Sequence, residues 1–520
     1  MNGAESLVHT LLDAGVDTCF ANPGTSEMHF VSALDRISGM RCVLGLFEGV
    51  VTGAADGYYR IAGRPAATLL HLGPGLANGL ANLHNARKAR SGIVNVVGEH
   101  ATGHLALDAP LTSDIEGLAR PMSHWVRTVR SASAIAQDGR EAVARAAGRP
   151  GQVATLALPA DMAWSPVGEA LQQLGAVHEA APQPIGQSEV LATTQALRNN
   201  GASTLLLLGG RAVRARATEW AGRIAAATGC SVMSEFYAER IERGAGRVPI
   251  PRVPYSVQAA VDVLSRFDHI VLVNAAQPVA FFGYPDKPGR LARPGTVFTT
   301  LSTHAQDPAE ALRMVCEELG AMRVQPLVCQ RAATAAAHEE GALTPASIGA
   351  LLATLIPENA IVVDEAVSTG RSFDQTTRDA APHDWLTNTG GSIGFGLPVA
   401  VGAAIAAPGR RVIALEGDGS AMYTLQALWT MARESLNVTV IVFANRSYQI
   451  LKGEYAQVGA GSPGQRASDM LSIDRPALNW TELAAGHGVP ACRVSTLGQF
   501  ADAVRRANAA DGPSLVEVVL

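Results

Sequence analysis

The chain has 520 residues, of which 48% are hydrophobic and 17% charged, and its net charge is −5. At roughly 100–200 residues per domain, this length implies about three domains with large buried cores. The weakly acidic balance, without a long run of one charge sign, gives no footing for a nucleic-acid partner, and no apolar run is long enough to span a membrane. Six cysteines, Cys19, Cys42, Cys230, Cys316, Cys329 and Cys492, lie far apart with no CxxC pair, so reduced thiols and a cytoplasmic location are expected. The N-terminal MNGAESLVHTLLDAGV has neither the basic nor the apolar region of a signal peptide.

In chain order, residues 4–14 read as a helix, DTCFANPGTSE as a short strand and an Asn22-Pro23-Gly24 turn, 28–36 as a helix and 41–48 as a strand ending on Glu48. A small-residue helix, GVVTGAADGYYRIAG, starts at once. By itself Glu48 reads first as an ordinary first-turn glutamate favoured by the helix dipole. A strand at 67–71 ends on His71, a Gly-Pro-Gly turn follows, and a helix begins near Ala77. The strand 93–100 ends on Glu99-His100, and 153–164 closes a first unit whose alternating strands and helices imply a mainly parallel sheet. Residues 165–188 read as a linker.

The second unit has strands at 203–210, 230–235 and 269–276, with a helix at 212–228. Its Gly209-Gly210-Arg211 turn lacks the full GxGxxG of a dinucleotide site, which favours a structural role. A second linker is read at 320–342. Thr344-Pro345 then caps and starts a helix, 361–365 is a strand, and a Gly-rich loop at 390–396 leads into another small-residue helix.

Next comes the most informative stretch. The strand VIALE (412–416) runs into Gly417-Asp418-Gly419, a helical segment follows, and the strand VTVIVFA (438–444) ends on Asn445. Parallel strands separated by one crossover end on the same sheet edge, where ligands of α/β proteins bind. Glycines flanking Asp418 admit a charged ligand close to the backbone. Asp418 and Asn445 are hard oxygen donors of the kind Mg²⁺ takes alongside phosphate and water. The stretch therefore reads as a diphosphate–metal site.

GDG with its downstream Asn, together with NPGTSE (22–27), Glu48, Leu70-His71 and GGSIGFGLP, resembles the thiamine diphosphate (ThDP) enzymes of the pyruvate decarboxylase/acetolactate synthase superfamily, on the benzoylformate decarboxylase branch. The resemblance implies three doubly wound α/β domains: pyrimidine-binding at 1–165, central at 188–325 and pyrophosphate-binding at 341–520. It implies a cofactor held between subunits, hence a homodimer at minimum and typically a homotetramer, with a small 2-oxo acid as substrate. Asp418, Asn445 and the Ser447 carbonyl would ligate Mg²⁺. Ser368, Gly417, Gly419, Ser420 and Tyr448 would contact the cofactor. Glu48 would hydrogen-bond the aminopyrimidine, the Gly391 carbonyl its amino group, and Ile393 would support the bent cofactor. The implied chemistry is decarboxylation or carboligation through a C2 ylid and an enamine, with His71 as proton relay and Thr25 on the substrate carboxylate.

The chain departs from this branch in two places. The central stretch QPVAFFGYPDKPG (277–289) has no histidine where the branch carries one, only Phe281, Phe282 and Tyr284, which either line a pocket or pack down on the domain. The segment also lacks the RFDDR-like run beside flavin in acetolactate synthases, so FAD is not expected. After Asn445, Ile450 falls at a position that shapes substrate choice. Glu454 reads either as a replacement proton donor or as a solvated helix residue, and His100 is a further candidate relay. Alternative readings are an acetolactate synthase-like carboligase acting on pyruvate and a non-catalytic protein of the same fold.

Overall fold

The computed structural model describes residues 1–168, 175–331 and 340–520, and among these residues seventeen strands form three sheets. The linkers expected at 165–188 and 320–342 therefore lie partly outside the described residues. The first sheet contains β1 (Thr18–Asn22), β2 (Arg41–Leu44), β3 (Ala66–Leu70), β4 (Ile93–Glu99), β5 (Trp125–Thr128) and β6 (Val153–Pro159), all parallel, in the order β2-β1-β3-β4-β6-β5. The central segment supplies β7 (Thr204–Leu208), β8 (Ser231–Ser234), β9 (Ile241–Arg243), β10 (His269–Val273) and β11 (Val297–Ser302). Four of these form a parallel sheet in the order β11-β10-β7-β8.

The third sheet runs β16-β17-β15-β14-β12-β13-β9, with β12 (Ile361–Glu365), β13 (His383–Thr387), β14 (Val412–Gly417), β15 (Val438–Ala444), β16 (Ala491–Val494) and β17 (Ser514–Val519). Its edge strand is the β9 that the sequence did not signal: β9 leaves the central segment and pairs antiparallel with β13. Three residues are too few for a periodic pattern, so only the tertiary fold could reveal them. As expected, Thr344 caps the helix Pro345–Leu355, accepting from the Ser347 amide, with Pro345 in the first turn.

The first and third sheets are joined by helices made of small residues. Glu48–Ala62 packs on Gly396–Ala406 so closely that a Cβ at Gly57 would lie 2.2 Å from the Val399 carbonyl oxygen. A Cβ at Gly402 would lie 1.8 Å from that of Ala54. A single apolar core then runs from Phe20, Leu70 and Val97 through Phe395 to Val412 and Trp480. Beside it, the fully buried Arg60 pairs with Asp56 at 2.7 Å and donates to the carbonyls of Thr387 (2.7 Å) and Glu239 (3.2 Å). One guanidinium thus ties all three segments together, with its charge matched in place.

Two local expectations are corrected. β2 stops at Leu44, and Glu48 is the first residue of its helix, because Gly45 to Phe47 turn the chain out of the sheet. The helix after His71 is Leu72–Ala89 and does not wait until Ala77. Gly73-Pro74-Gly75 fits in its first turn, where backbone N–H groups lack helical partners in any case and proline costs nothing. No helix among the described residues is long and apolar enough to cross a membrane.

Gly402→Ala should cost about 1–3 kcal/mol, since the added methyl has only rigid backbone in front of it. Chemical denaturation checks this, and wild-type stability would show that the two helices separate without loss.

Candidate active site

In the third sheet, Glu365 pairs with Glu416 and Gly417 with Phe443, so the ends of β12, β14 and β15 share one edge. Asp418 follows β14 directly and is 3% exposed. Its Oδ1 accepts from the Gly419 amide at 2.9 Å and its Oδ2 from the Arg446 amide at 2.6 Å. The second bond ties the turn after β14 to the turn after β15, where Asn445 Oδ1 accepts from the Ser447 amide at 3.0 Å. Burial pushes the Asp418 carboxyl up, against the pull of these amides.

A buried carboxylate held by backbone amides, next to an amide oxygen and glycine-flanked, fits a hard divalent cation carrying phosphate. Among the described residues no group of three or more His, Cys, Asp or Glu could hold a metal, so a cation here would draw on few side chains and on the phosphate itself. Gly419 leaves room for Tyr448, whose ring would stand 2.7 Å from a Cβ there. Ser420 is buried behind Gly417. Ser368 begins the short turn after β12 on the same edge and makes no side-chain cap bond.

The Gly-rich loop is held from both sides. From within the sheet, the fully buried Glu365 accepts the amides of Gly394, Phe395 and Gly396 at 3.1, 3.2 and 2.8 Å. Burial raises its pKa, as it does that of Glu416, whose two oxygens have no partner among the described residues. From the first domain, Asn85 exchanges two bonds with the Ser392 backbone (2.9 and 3.1 Å), and Asn82 donates to the Gly394 carbonyl at 3.1 Å. Gly391, with φ +78°, must be glycine on two counts: the dihedral, and the Phe281 ring 2.7 Å from where a Cβ would be.

Beside Gly391 and Ile393 lies a cavity of about 260 Å³, lined also by Phe281, Phe282, Ile450 and Glu454. The Tyr284 hydroxyl donates to Glu454 Oε2 at 2.7 Å. Glu454 is thus bound across the cavity wall and is not a solvated helix residue. A separate cavity of about 340 Å³ lies at the Gly210-Arg211 turn and shares no residue with the first.

The remaining candidates lie on another edge. Thr25, Glu48, His71 and His100 follow β1, β2, β3 and β4 of the first sheet. Glu48 Oε2 accepts from Asn78 at 3.0 Å. His71 Nδ1 meets Glu27 Oε2 at 2.8 Å, and Glu27 also takes the Gly24 amide at 2.7 Å. His100 is not part of the cavity with Ile450 and Glu454. Its ring lies tilted against that of His104 with centroids 5.3 Å apart, and its buried Nε2 has no partner among the described residues. Burial and the neighbouring His104 and His71 lower its pKa. None of residues 1–165 lines the Gly391 cavity; one chain does not bring the two groups together.

Sequence reasoning missed Glu27, Asn82, Asn85 and Glu365. Glu27 closes the NPGTSE motif and could have been named, because a carboxylate three residues after a turn glycine commonly caps it. Asn82 and Asn85 are two asparagines on a helix full of small residues, and nothing local marks them.

Residues 1–118 match the family model described as the thiamine pyrophosphate enzyme N-terminal TPP binding domain, and 368–518 match the C-terminal TPP binding domain. The chain is 48% identical over 522 residues to a Mycobacterium tuberculosis protein called "Putative acetolactate synthase large subunit IlvX", covering 100% of this chain and 99% of that one. It is 29% identical over 532 residues to benzoylformate decarboxylase of Pseudomonas aeruginosa, with 97% and 96% covered. A Rhodococcus jostii ThDP-dependent 4-hydroxybenzoylformate decarboxylase structure superposes with a TM-score of 0.82 at 26% identity, over 99% of this chain and 98% of that one. Fold and edge geometry define a ThDP-binding α/β enzyme. The chain belongs to the thiamine pyrophosphate enzyme family, of the acetolactate synthase and benzoylformate decarboxylase type.

Asn85→Ala should free the Gly-rich loop, so that the amides of residues 390–394 exchange hydrogen at least about tenfold faster, the loss of roughly one buried hydrogen bond or more. Unchanged exchange would show that Glu365 alone holds the loop.

Proposed function

We propose that the protein is a ThDP- and Mg²⁺-dependent decarboxylase or carboligase of a 2-oxo acid whose side chain is larger than methyl. The observation that carries this reading is the aromatic-lined cavity opening beside Gly391 and Ile393, on the sheet edge that ends in Asp418 and Asn445. On this reading 1–165 is the pyrimidine-binding domain, 188–325 the central domain and 341–520 the pyrophosphate-binding domain.

Asp418, Asn445 and the Ser447 carbonyl hold the magnesium, and Ser368, Gly417, Gly419, Ser420 and Tyr448 surround the diphosphate. The bound cofactor supplies the nucleophilic carbon and electron sink for loss of carbon dioxide. Gly391 and Ile393, which line the cavity, would help hold it. Glu48 has one oxygen engaged by Asn78 and is otherwise available to exchange a proton with the pyrimidine ring. His71, held at Nδ1 by Glu27, keeps Nε2 as its free nitrogen for proton transfer, and Thr25 offers a hydroxyl to the substrate carboxylate. His100, whose pKa burial lowers, is a second imidazole on that edge. These groups reach the Gly391 cavity from a second copy of the chain, so the working form is at least a homodimer, with a homotetramer as the expected assembly.

The second reading, condensation on pyruvate, is favoured by the name of the 48% identical relative. Product analysis with pyruvate, phenylpyruvate and benzoylformate separates the two. A protein that binds ThDP and turns over none of them would be a non-catalytic member.

Glu48→Gln should keep ThDP affinity within about tenfold, or roughly 1.4 kcal/mol, and abolish hydrogen exchange at the cofactor C2. Near-normal exchange by NMR would sink the role given to Glu48. Asp418→Ala should remove Mg²⁺-dependent ThDP binding in calorimetry, and an unchanged dissociation constant would refute the metal site.

A further inference from the structure

Where β9 joins the edge of the third sheet, the central and third segments enclose another cavity, of about 380 Å³. Three guanidinium groups line it, those of Arg243, Arg252 and Arg378, against the carboxylates of Glu242 and Asp374. Ile241, Val248 and Ile250 give the wall an apolar side.

The charges on this wall do not pair off. Both oxygens of Glu242 are engaged: Oε1 accepts from Arg240 at 3.2 Å and Oε2 from the Ala215 amide at 2.9 Å. Asp374 Oδ2 accepts from Arg252 Nε at 3.0 Å, and Arg378 pairs with Asp379 at 3.5 Å. Arg243 is left over. It donates to the Asp374 backbone carbonyl, and its guanidinium carbon lies 4.9 Å from the centroid of the Trp385 ring. Among the described residues it has no ion-pair partner, and burial pushes its pKa down to about 10 against the attraction of Asp374.

A charge withdrawn from water without a counter-charge is costly. Here a cavity stands in front of that charge, with room for the anion that would remove the cost. The form of the anion follows from the wall. A guanidinium presents its N–H donors in a planar fork that matches a carboxylate with two parallel bonds. One uncompensated positive charge calls for a monoanion, whereas a phosphate dianion would bring a second charge with no partner. The apolar side of the wall suits a hydrocarbon body.

We propose that this cavity is a second ligand site, which takes a small carboxylate with an apolar body bound through Arg243. The site does not depend on the 2-oxo acid reading above. It has only Arg252 in common with the cavity beside Gly391.

The test uses the full-length protein loaded with ThDP and Mg²⁺ and reads binding by calorimetry, with no turnover needed. The probes are 3-methylbutanoate, its neutral amide 3-methylbutanamide, and inorganic phosphate. The carboxylate should bind at least about tenfold more tightly than the amide, because only the charged acceptor pairs with the guanidinium. Arg243→Met keeps an unbranched chain beside Trp385 and should bring the two affinities to within about threefold. Ile250→Asp keeps Arg243 and places a carboxylate in the cavity itself, so it should abolish binding of 3-methylbutanoate even if Arg243→Met fails to fold. Ile450→Ala, in the cavity beside Gly391, should leave the preference as it is.

Equal affinity for acid and amide, no detectable binding of either, or tighter binding of phosphate than of 3-methylbutanoate would overturn the proposal. So would a preference that persists in folded Arg243→Met or in Ile250→Asp, since Arg243 would then serve only the Asp374 carbonyl and the Trp385 ring. Loss of the preference in Ile450→Ala would put the carboxylate in the other cavity and defeat the second site.

Discussion

The close contact between the Glu48–Ala62 and Gly396–Ala406 helices is the constraint on which the rest of the molecule depends. It works because both faces are built from residues without bulk: Gly53 meets Pro398, Gly57 meets Val399, and Gly402 meets Ala54. Backbone at van der Waals distance gains dispersion energy only in one relative placement, since an interior packs like a crystal and tolerates little slack. Once the helices are seated, the first sheet and the third share one core, and Asn82 and Asn85 arrive opposite the Gly-rich loop. Arg60 then finds carbonyls of the central and third segments within reach. A packing contact therefore shapes a loop that contributes to the cofactor edge.

The cofactor edge itself depends on a second, smaller closure. Asp418 accepts from the Arg446 amide, so two turns from strands separated by a crossover become one rigid rim. The carboxylate stays buried with amides for partners, and cationic side chains are left out of its hydrogen bonding. That arrangement is costly for an unpaired charge and suits a site that meets a dication. The first sheet has a comparable economy: Glu27 engages His71 and the Gly24 amide at once and orients the ring while ordering the turn. Each edge is thus arranged within one chain, yet the two do not face a common cavity there.

What could be read from residues alone follows from the range of the interactions involved. Strand, GDG, crossover and Asn445 lie within one βαβ unit, where register is local, and the structure has β14 and β15 beside each other as that pattern requires. Thr344-Pro345 was legible for the same reason. The boundary at Glu48 was misread because LGLF continues an apolar strand pattern even though Gly45 ends the pairing. The helix after His71 was placed late because Gly-Pro-Gly looks like a turn in isolation, whereas it occupies a first turn against Ser113 and Glu48. His100, a candidate relay at the end of its strand, lies on the edge of His71 because β3 and β4 are neighbours in the first sheet. Glu454 left two readings open, and only the long-range bond to Tyr284, 170 residues away, decides between them.

The sequence by itself determined the α/β class and the family, because alternating strands and helices and a glycine-flanked turn after a strand are local patterns enforced by backbone geometry. Tertiary structure alone decided which side chains share a cavity: that Phe281 lies on Gly391, that Glu454 meets Tyr284 across it, and that Glu48 and His71 stay on a different edge. Those contacts join segments more than a hundred residues apart and are set by how helices and sheets pack, which no local pattern encodes.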